Sequence, residues 1–166
     1  MIYCYLTFWN SIRLILTKQI VMVRKRNIQI AIVEDDKYYN MILTKYISSI
    51  CSKSFYPHFE FTIQSFQNAH DFIEKFDKSV DIILLDYYLF NSNEDEQLNG
   101  GDVLSIIKNY HPECKVILLS SLSDPSKIAA MSSQGLHAHV DKNISSRNRI
   151  GAILQKTLEG YPAHVG

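Results

Sequence analysis

From Asn27 to Leu158 the chain alternates strand-like with helix-like segments five times, a pattern that few folds accommodate. Ile28–Val33 is a short β-branched run, and Tyr38–Ile50 sets Tyr39, Ile42, Leu43, Tyr46, Ile47 and Ile50 at the spacing of one apolar helix face. Phe59–Phe66 alternates Phe59, Phe61 and Ile63 with polar residues, as a half-buried strand does. Asn68 reads as an N-cap, with Asp71 three residues on, before Phe72, Ile73 and Phe76. Asp81–Leu85 is an apolar run that ends at Asp86, and Val103–Tyr110 is helical, entered through Gly100-Gly101-Asp102 and stopped before Pro112. Lys115–Leu119 is a second apolar run. Asp124-Pro125 is a cap followed by proline at the first helical position, opening a weakly patterned helix over Ser126–Gln134. Leu136–Val140 alternates again, and Ile150, Ile153, Leu154 and Leu158 mark the last helix.

Five βα units predict an α/β fold, a parallel sheet with helices on both faces. Strands one, three and four read as fully buried, whereas strands two and five alternate like edge strands. That combination predicts a flavodoxin-like, doubly wound, five-stranded sheet of order 2-1-3-4-5 with five helices. The expected domain covers 27–160, with 1–26 as an N-terminal extension and 161–166 as a C-terminal tail.

The extension is rich in apolar and aromatic residues, but Arg13 and Lys18 interrupt it, so it lacks the roughly 20 uninterrupted apolar residues of a membrane span. No charge precedes the apolar run and no Ala-x-Ala-like site follows, which argues against a signal peptide. An appended helix, a membrane-surface helix, or sequence upstream of a true start at Met22 all fit; the last is preferred. Lys+Arg and Asp+Glu both number 17, and this zero balance disfavours a dedicated nucleic-acid binder. Cys4, Cys51 and Cys114 share no metal or redox spacing and read as free thiols of a reducing, cytoplasmic compartment.

In a sheet of this order ligands bind beyond the carboxyl ends of the strands, near the point where the order reverses. Standing there would be Glu34, Asp35 and Asp36 after strand one, Asp86 after strand three, Ser120 at the end of strand four and Lys142 after strand five. Asp35 and Asp86 lie on neighbouring strands and should converge. Each close carboxylate pair costs about 4 kcal/mol at an effective dielectric near 20, so the cluster calls for a divalent cation. An all-oxygen set with few protein ligands suits Mg²⁺, and a carboxylate nucleophile beside it, with a lysine and a hydroxyl, suits phosphoryl transfer. Taken alone, Asp86 would read as a solvated loop carboxylate. Asp36 reads as a helix cap rather than a ligand, and His137 as structural or exposed.

Glu34-Asp35-Asp36, the Asp86 that ends Ile-Ile-Leu-Leu-Asp, Ser120 ending Val-Ile-Leu-Leu-Ser and Lys142 ending Ala-His-Val-Asp-Lys closely resemble the response-regulator receiver family over Ile28 to Leu158. The resemblance implies a single-domain response regulator of a two-component phosphorelay. Asp86 would be the phosphoacceptor, receiving the group from a histidine kinase or histidine phosphotransfer protein. It implies Mg²⁺ held by Asp35 and Asp86, by Glu34 through water, and by the backbone carbonyl of Tyr88. Ser120 would bond the phosphoryl group and move with it, Lys142 would pair with it, and His139 would occupy the aromatic switch position. Catalysis would be limited to self-catalysed phosphoryl transfer and loss. With no attached effector domain, output is expected through another, unidentified protein.

The chain departs from the family pattern in several places. Phe90 stands where a proline is usual, and the connection from Asp86 to Gly100, carrying Asn91-Ser92-Asn93-Glu94-Asp95-Glu96, is longer than usual. It fits either a partner-recognition loop or, preferably, a tolerated insertion. Asn143 replaces a cis-proline, which predicts a trans bond and a somewhat displaced Lys142. His139 replaces the commoner Tyr or Phe and reads equally well as a half-exposed edge-strand side chain. Two rival functions follow: a phosphorylation-independent protein-binding module on a degenerate receiver scaffold, and a Mg²⁺-dependent phosphohydrolase. The second is disfavoured because the strand-one motif is not Asp-x-Asp and no cap domain is present. A flavin site is disfavoured by the acidic loop after strand one.

Overall fold

The structure, a computed structural model, describes residues 25–90, 98–121 and 124–162. Residues 1–24 of the extension, including the start at Met22 and Cys4, and most of the long connection after Asp86 lie outside the described residues. The elements run β1 (Arg26–Val33), α1 (Lys37–Ile50), β2 (Phe59–Phe66), α2 (Ala69–Lys75), β3 (Ile82–Asp86), α3 (Gly100–Tyr110), β4 (Lys115–Ser120), α4 (Pro125–Ser133), β5 (Ala138–Asp141) and α5 (Ser146–Glu159). All strand pairs are parallel, and the order is β2-β1-β3-β4-β5, as the strand characters predict.

Strand periodicity sorts the core into two layers. Ala31, Val33, Ile83, Leu85, Val116 and Leu118 meet Phe72 of α2, Val103, Leu104 and Ile107 of α3, and Met131 of α4. Ile28, Ile30, Ile32, Leu84, Ile117, Leu119 and Val140 meet Leu43 and Ile47 of α1 and Ile150, Leu154 and Leu158 of α5. Because β3 and β4 are covered on both sides, their apolar runs are continuous, and each fully buried Ile or Leu contributes about 1.5–3 kcal/mol. Each layer also holds one free thiol, Cys114 in the first and Cys51 in the second. Burial pushes both thiols up to about 12.

Local chemistry sets the helix ends. Asp36 caps α1, its Oδ1 accepting from the N–H groups of Tyr38 and Tyr39 at 2.8 Å. Asn68 caps α2 as expected. Helix α3 starts three residues before Val103, because Asn99 is the N-cap and Asp102 closes a capping box with it. Two glycines therefore sit in its first turn. The sheet also extends beyond Ile28, since Arg26 joins β1 by pairing with Asp81 at 2.9 Å and stacking on Tyr161. Among the described residues no helix is long and apolar enough to cross a membrane.

Candidate functional site

The register brings four strand ends together at the carboxyl edge of the sheet. Val33 pairs with Leu85, Asp86 with Leu119, and Ser120 with Asp141. The residues that follow are therefore neighbours: one carboxylate oxygen from each of Glu34, Asp35 and Asp86 lies within 4.8 Å of the others. Glu34 and Asp86 are buried and Asp35 is half-buried, which leaves the cluster open on the Asp35 side. Lys142 reaches into it from the end of β5, its Nζ standing 2.7 Å from Asp86 Oδ2 and 2.9 Å from Glu34 Oε1.

Burial pushes the Glu34 carboxyl up from 4.5 to about 7; the neighbouring Asp86 charge adds to this and Lys142 opposes it. Burial also raises Asp86, against the pull of Lys142 and of the Tyr88 N–H. The Lys142 ammonium would be lowered by burial, but the two carboxylates beside it win and raise it. The cluster thus holds more negative charge than one lysine balances. Glu34 Oε2 is buried and, although 2.7 Å from Lys142 Nζ, has no hydrogen bond of acceptable geometry. A hard divalent cation with oxygen ligands and room for water fits that donor set, and Glu34, Asp35 and Asp86 are the residues that could hold it.

Several residues that build the site were not read as site residues in the sequence. Asn40 is buried, and its Nδ2 donates to the carbonyls of Glu34 at 3.0 Å and Phe66 at 2.9 Å, fixing the chain where it leaves β1. The Tyr39 ring lies under the Lys142 ammonium, 4.8 Å from Nζ to the centroid. Gly100 packs on the backbone at the end of β3, since a Cβ there would lie 2.6 Å from the Asp86 carbonyl oxygen. Phe90 N–H donates to Asp35 Oδ2 at 3.2 Å, so the connection after β3 reaches back to β1. In Tyr39 and Asn40 only a helix position was visible; their polar partners are tertiary.

Ser120 is fully buried at the end of β4, and its carbonyl accepts the Lys142 N–H at 3.0 Å. Tyr88 is exposed and turns its N–H, at 3.3 Å, toward Asp86 Oδ1. The Asp36 carboxylate is spent on its helix cap. His137 is exposed, with Nε2 2.9 Å from Thr157 Oγ1. His139 is more enclosed than an edge-strand side chain need be, at 16% exposure, with Nε2 3.8 Å from Asp141 Oδ1. It faces away from Val140, toward the layer of α3 and α4.

No peptide bond among the described residues is cis, yet Lys142 reaches both carboxylates. Asn143 secures the loop by other means: its Oδ1 accepts from the N–H and Oγ of Ser145, and its carbonyl accepts from the N–H and Oγ of Ser146.

Residues 30–155 match the sequence pattern of the family described as the response regulator receiver domain. Among solved structures the chain is similar to the response regulator DrrB of Thermotoga maritima, an OmpR/PhoB homolog. The TM-score is 0.63 and the identity 23%, over 80% of this chain and 52% of that one. It therefore spans about half the length of DrrB. The BeF3-activated DrrB receiver domain alone gives 0.61 at 22% identity, over 79% of this chain and 97% of that one. The receiver domain of NtrX from Brucella abortus gives 0.60 at 17%, over 80% and 99%. At these identities the likeness speaks for the fold. No curated protein matches the chain.

Proposed function

The chain belongs to the response-regulator receiver family, and from that premise we propose that it is a phosphoryl-accepting switch of two-component signalling whose acceptor is Asp86. The observation that carries this reading is the convergence of Glu34, Asp35 and Asp86 within 4.8 Å with Lys142 seated 2.7 Å from Asp86. An Asp86 oxygen forms the new bond to phosphorus while the bond from phosphorus to the donor, a phosphohistidine nitrogen or an acetyl phosphate oxygen, breaks. The donor leaves with that electron pair, taking a proton from solvent as needed. Mg²⁺ would be held by Asp35, Asp86, the Tyr88 carbonyl and, through water, Glu34, and would supply positive charge for the transferred oxygens.

Lys142 pairs with the phosphoryl group once it is on Asp86, and the Ser120 hydroxyl bonds it. His139, on the face of β5 turned toward the layer of α3 and α4, moves with Ser120 and reports the change to a protein partner. The donor is a histidine kinase or a histidine phosphotransfer protein, the setting cytoplasmic, and nucleic acid is not a partner.

The test is intact-protein mass after incubation with acetyl phosphate, with and without Mg²⁺, on wild type and Asp86→Ala. A Mg²⁺-dependent gain of one phosphoryl group, absent in the variant, is expected. No gain by folded wild type would overturn the proposal in favour of a phosphorylation-independent binding module.

A further inference from the structure

Lys142 carries a long, rotatable stem, and its ammonium has three seats: Asp86 Oδ2, the Glu34 carboxylate and the Tyr39 ring. Two of those seats are also the oxygen donors that a divalent cation or an incoming phosphoryl group would engage. Once they are engaged, the seat that neither a cation nor an anion competes for is the ring. The ring is well fixed for the task. Tyr39 stands in the first turn of α1, immediately before the buried Asn40 that ties this turn to the carbonyls of Glu34 and Phe66. Its hydroxyl oxygen lies 3.5 Å from Ser146 Oγ, at the start of α5. Ser146 in turn closes on Asn143, the residue after the lysine, so ring and lysine backbone share one framework.

We propose that Tyr39 is a positioning residue for the phosphoryl-transfer site, its ring face holding the Lys142 ammonium beside Asp86 when the carboxylates are occupied. This rests on the reading of Asp86 as acceptor, but its first test does not. In Mg²⁺-saturated protein, with beryllofluoride as a phosphoryl mimic, the ring current of Tyr39 should shift the Lys142 ε-methylene protons upfield. Tyr39→Phe should keep that shift and Tyr39→Leu should abolish it. An ε-methylene resonance of the same position in wild type and Tyr39→Leu would overturn the proposal, whether or not Asp86 takes up phosphate.

The second test is kinetic. With acetyl phosphate as donor, Tyr39→Phe, which keeps the ring and loses only the 3.5 Å hydroxyl contact with Ser146, should stay within about twofold of wild type, and Tyr39→Leu should lose about fivefold in maximal rate with little change in half-saturating donor. Phenylalanines of increasing ring fluorination at position 39 keep the shape while weakening the π face, and should slow the reaction stepwise. A packing role alone would leave those rates level, and level rates would overturn the proposal even if the leucine variant fails to fold.

Discussion

The Lys142 ammonium stands 2.7 Å from Asp86 Oδ2 while also holding Glu34, so one lysine serves two buried carboxylates. Lys142→Met should uncouple two properties. Mg²⁺ should bind more tightly because Glu34 is released, yet uptake of phosphate from acetyl phosphate should fall by about a hundredfold, the scale of losing one transition-state donor. Mg²⁺ titration by calorimetry and the mass assay together check this, and unchanged Mg²⁺ affinity would count against the competition.

Burial raises Glu34 from 4.5 to about 7. A carboxyl raised on folding favours the folded state while protonated, so its contribution is complete below pH 4.5 and is lost as pH rises through about 7. Asp86, shifted the same way, adds to the trend from lower pH. Lys142 is raised from 10.5, so its contribution stays whole across this window and is lost only in strong alkali. In EDTA the thermal midpoint should therefore drop between about pH 5 and about pH 8. Excess Mg²⁺ should offset most of the drop, since it binds the ionised cluster. Glu34→Gln should flatten the EDTA profile. A wild-type midpoint constant in EDTA would contradict the cause given for the shift.

Gly100→Ala puts a Cβ 2.6 Å from the Asp86 carbonyl oxygen and 2.7 Å from Tyr87 Cα, both backbone atoms with little room to yield. The cost should be about 2 kcal/mol in urea unfolding, within the range for overpacking. Because the strain falls on the strand end that carries Asp86, phosphoryl uptake should slow more than it does for Gly101→Ala. The corresponding contact at Gly101 is 3.0 Å, to the Asn99 side chain.

Asn40→Ala removes two donors from buried carbonyls. That of Phe66 keeps a bond from the Glu34 N–H at 3.1 Å, whereas that of Glu34 loses its side-chain partner. A loss of about 1–3 kcal/mol in urea unfolding is expected. Asn40→Asp should be worse, bringing a further carboxylate beside the acidic cluster, and Mg²⁺ should narrow the difference.

The residues that sit at strand ends were legible because strand order is written in burial. The uninterrupted Ile82–Leu85 and Val116–Leu119 runs mark strands covered on both faces, and the residue ending each run has only one place to go. Asp86 and Ser120 follow directly, as Lys142 does from the alternation of β5. Tyr39 and Asn40 were not legible in this way. Both lie on α1, one on an apolar stripe and one beside it, and helix periodicity says nothing of what a polar group meets across the fold. Lys142 shows both scales at once: Asn143, in place of the usual proline, turns the loop through bonds from Ser145 two residues on, whereas the Tyr39 ring is a tertiary contact that local rules omit.

Cys51 packs with the α1 and α5 side of the sheet and Cys114 with the α2, α3 and α4 side, each thiol silenced by burial. The molecule therefore carries a native chemical clock on either side of its sheet. Alkylation at each thiol is gated by local opening of the side it occupies, so mass-resolved labelling would time the two independently. A signal passed from Asp86 toward α4 would register as a change in the Cys114 clock while that of Cys51 kept its pace.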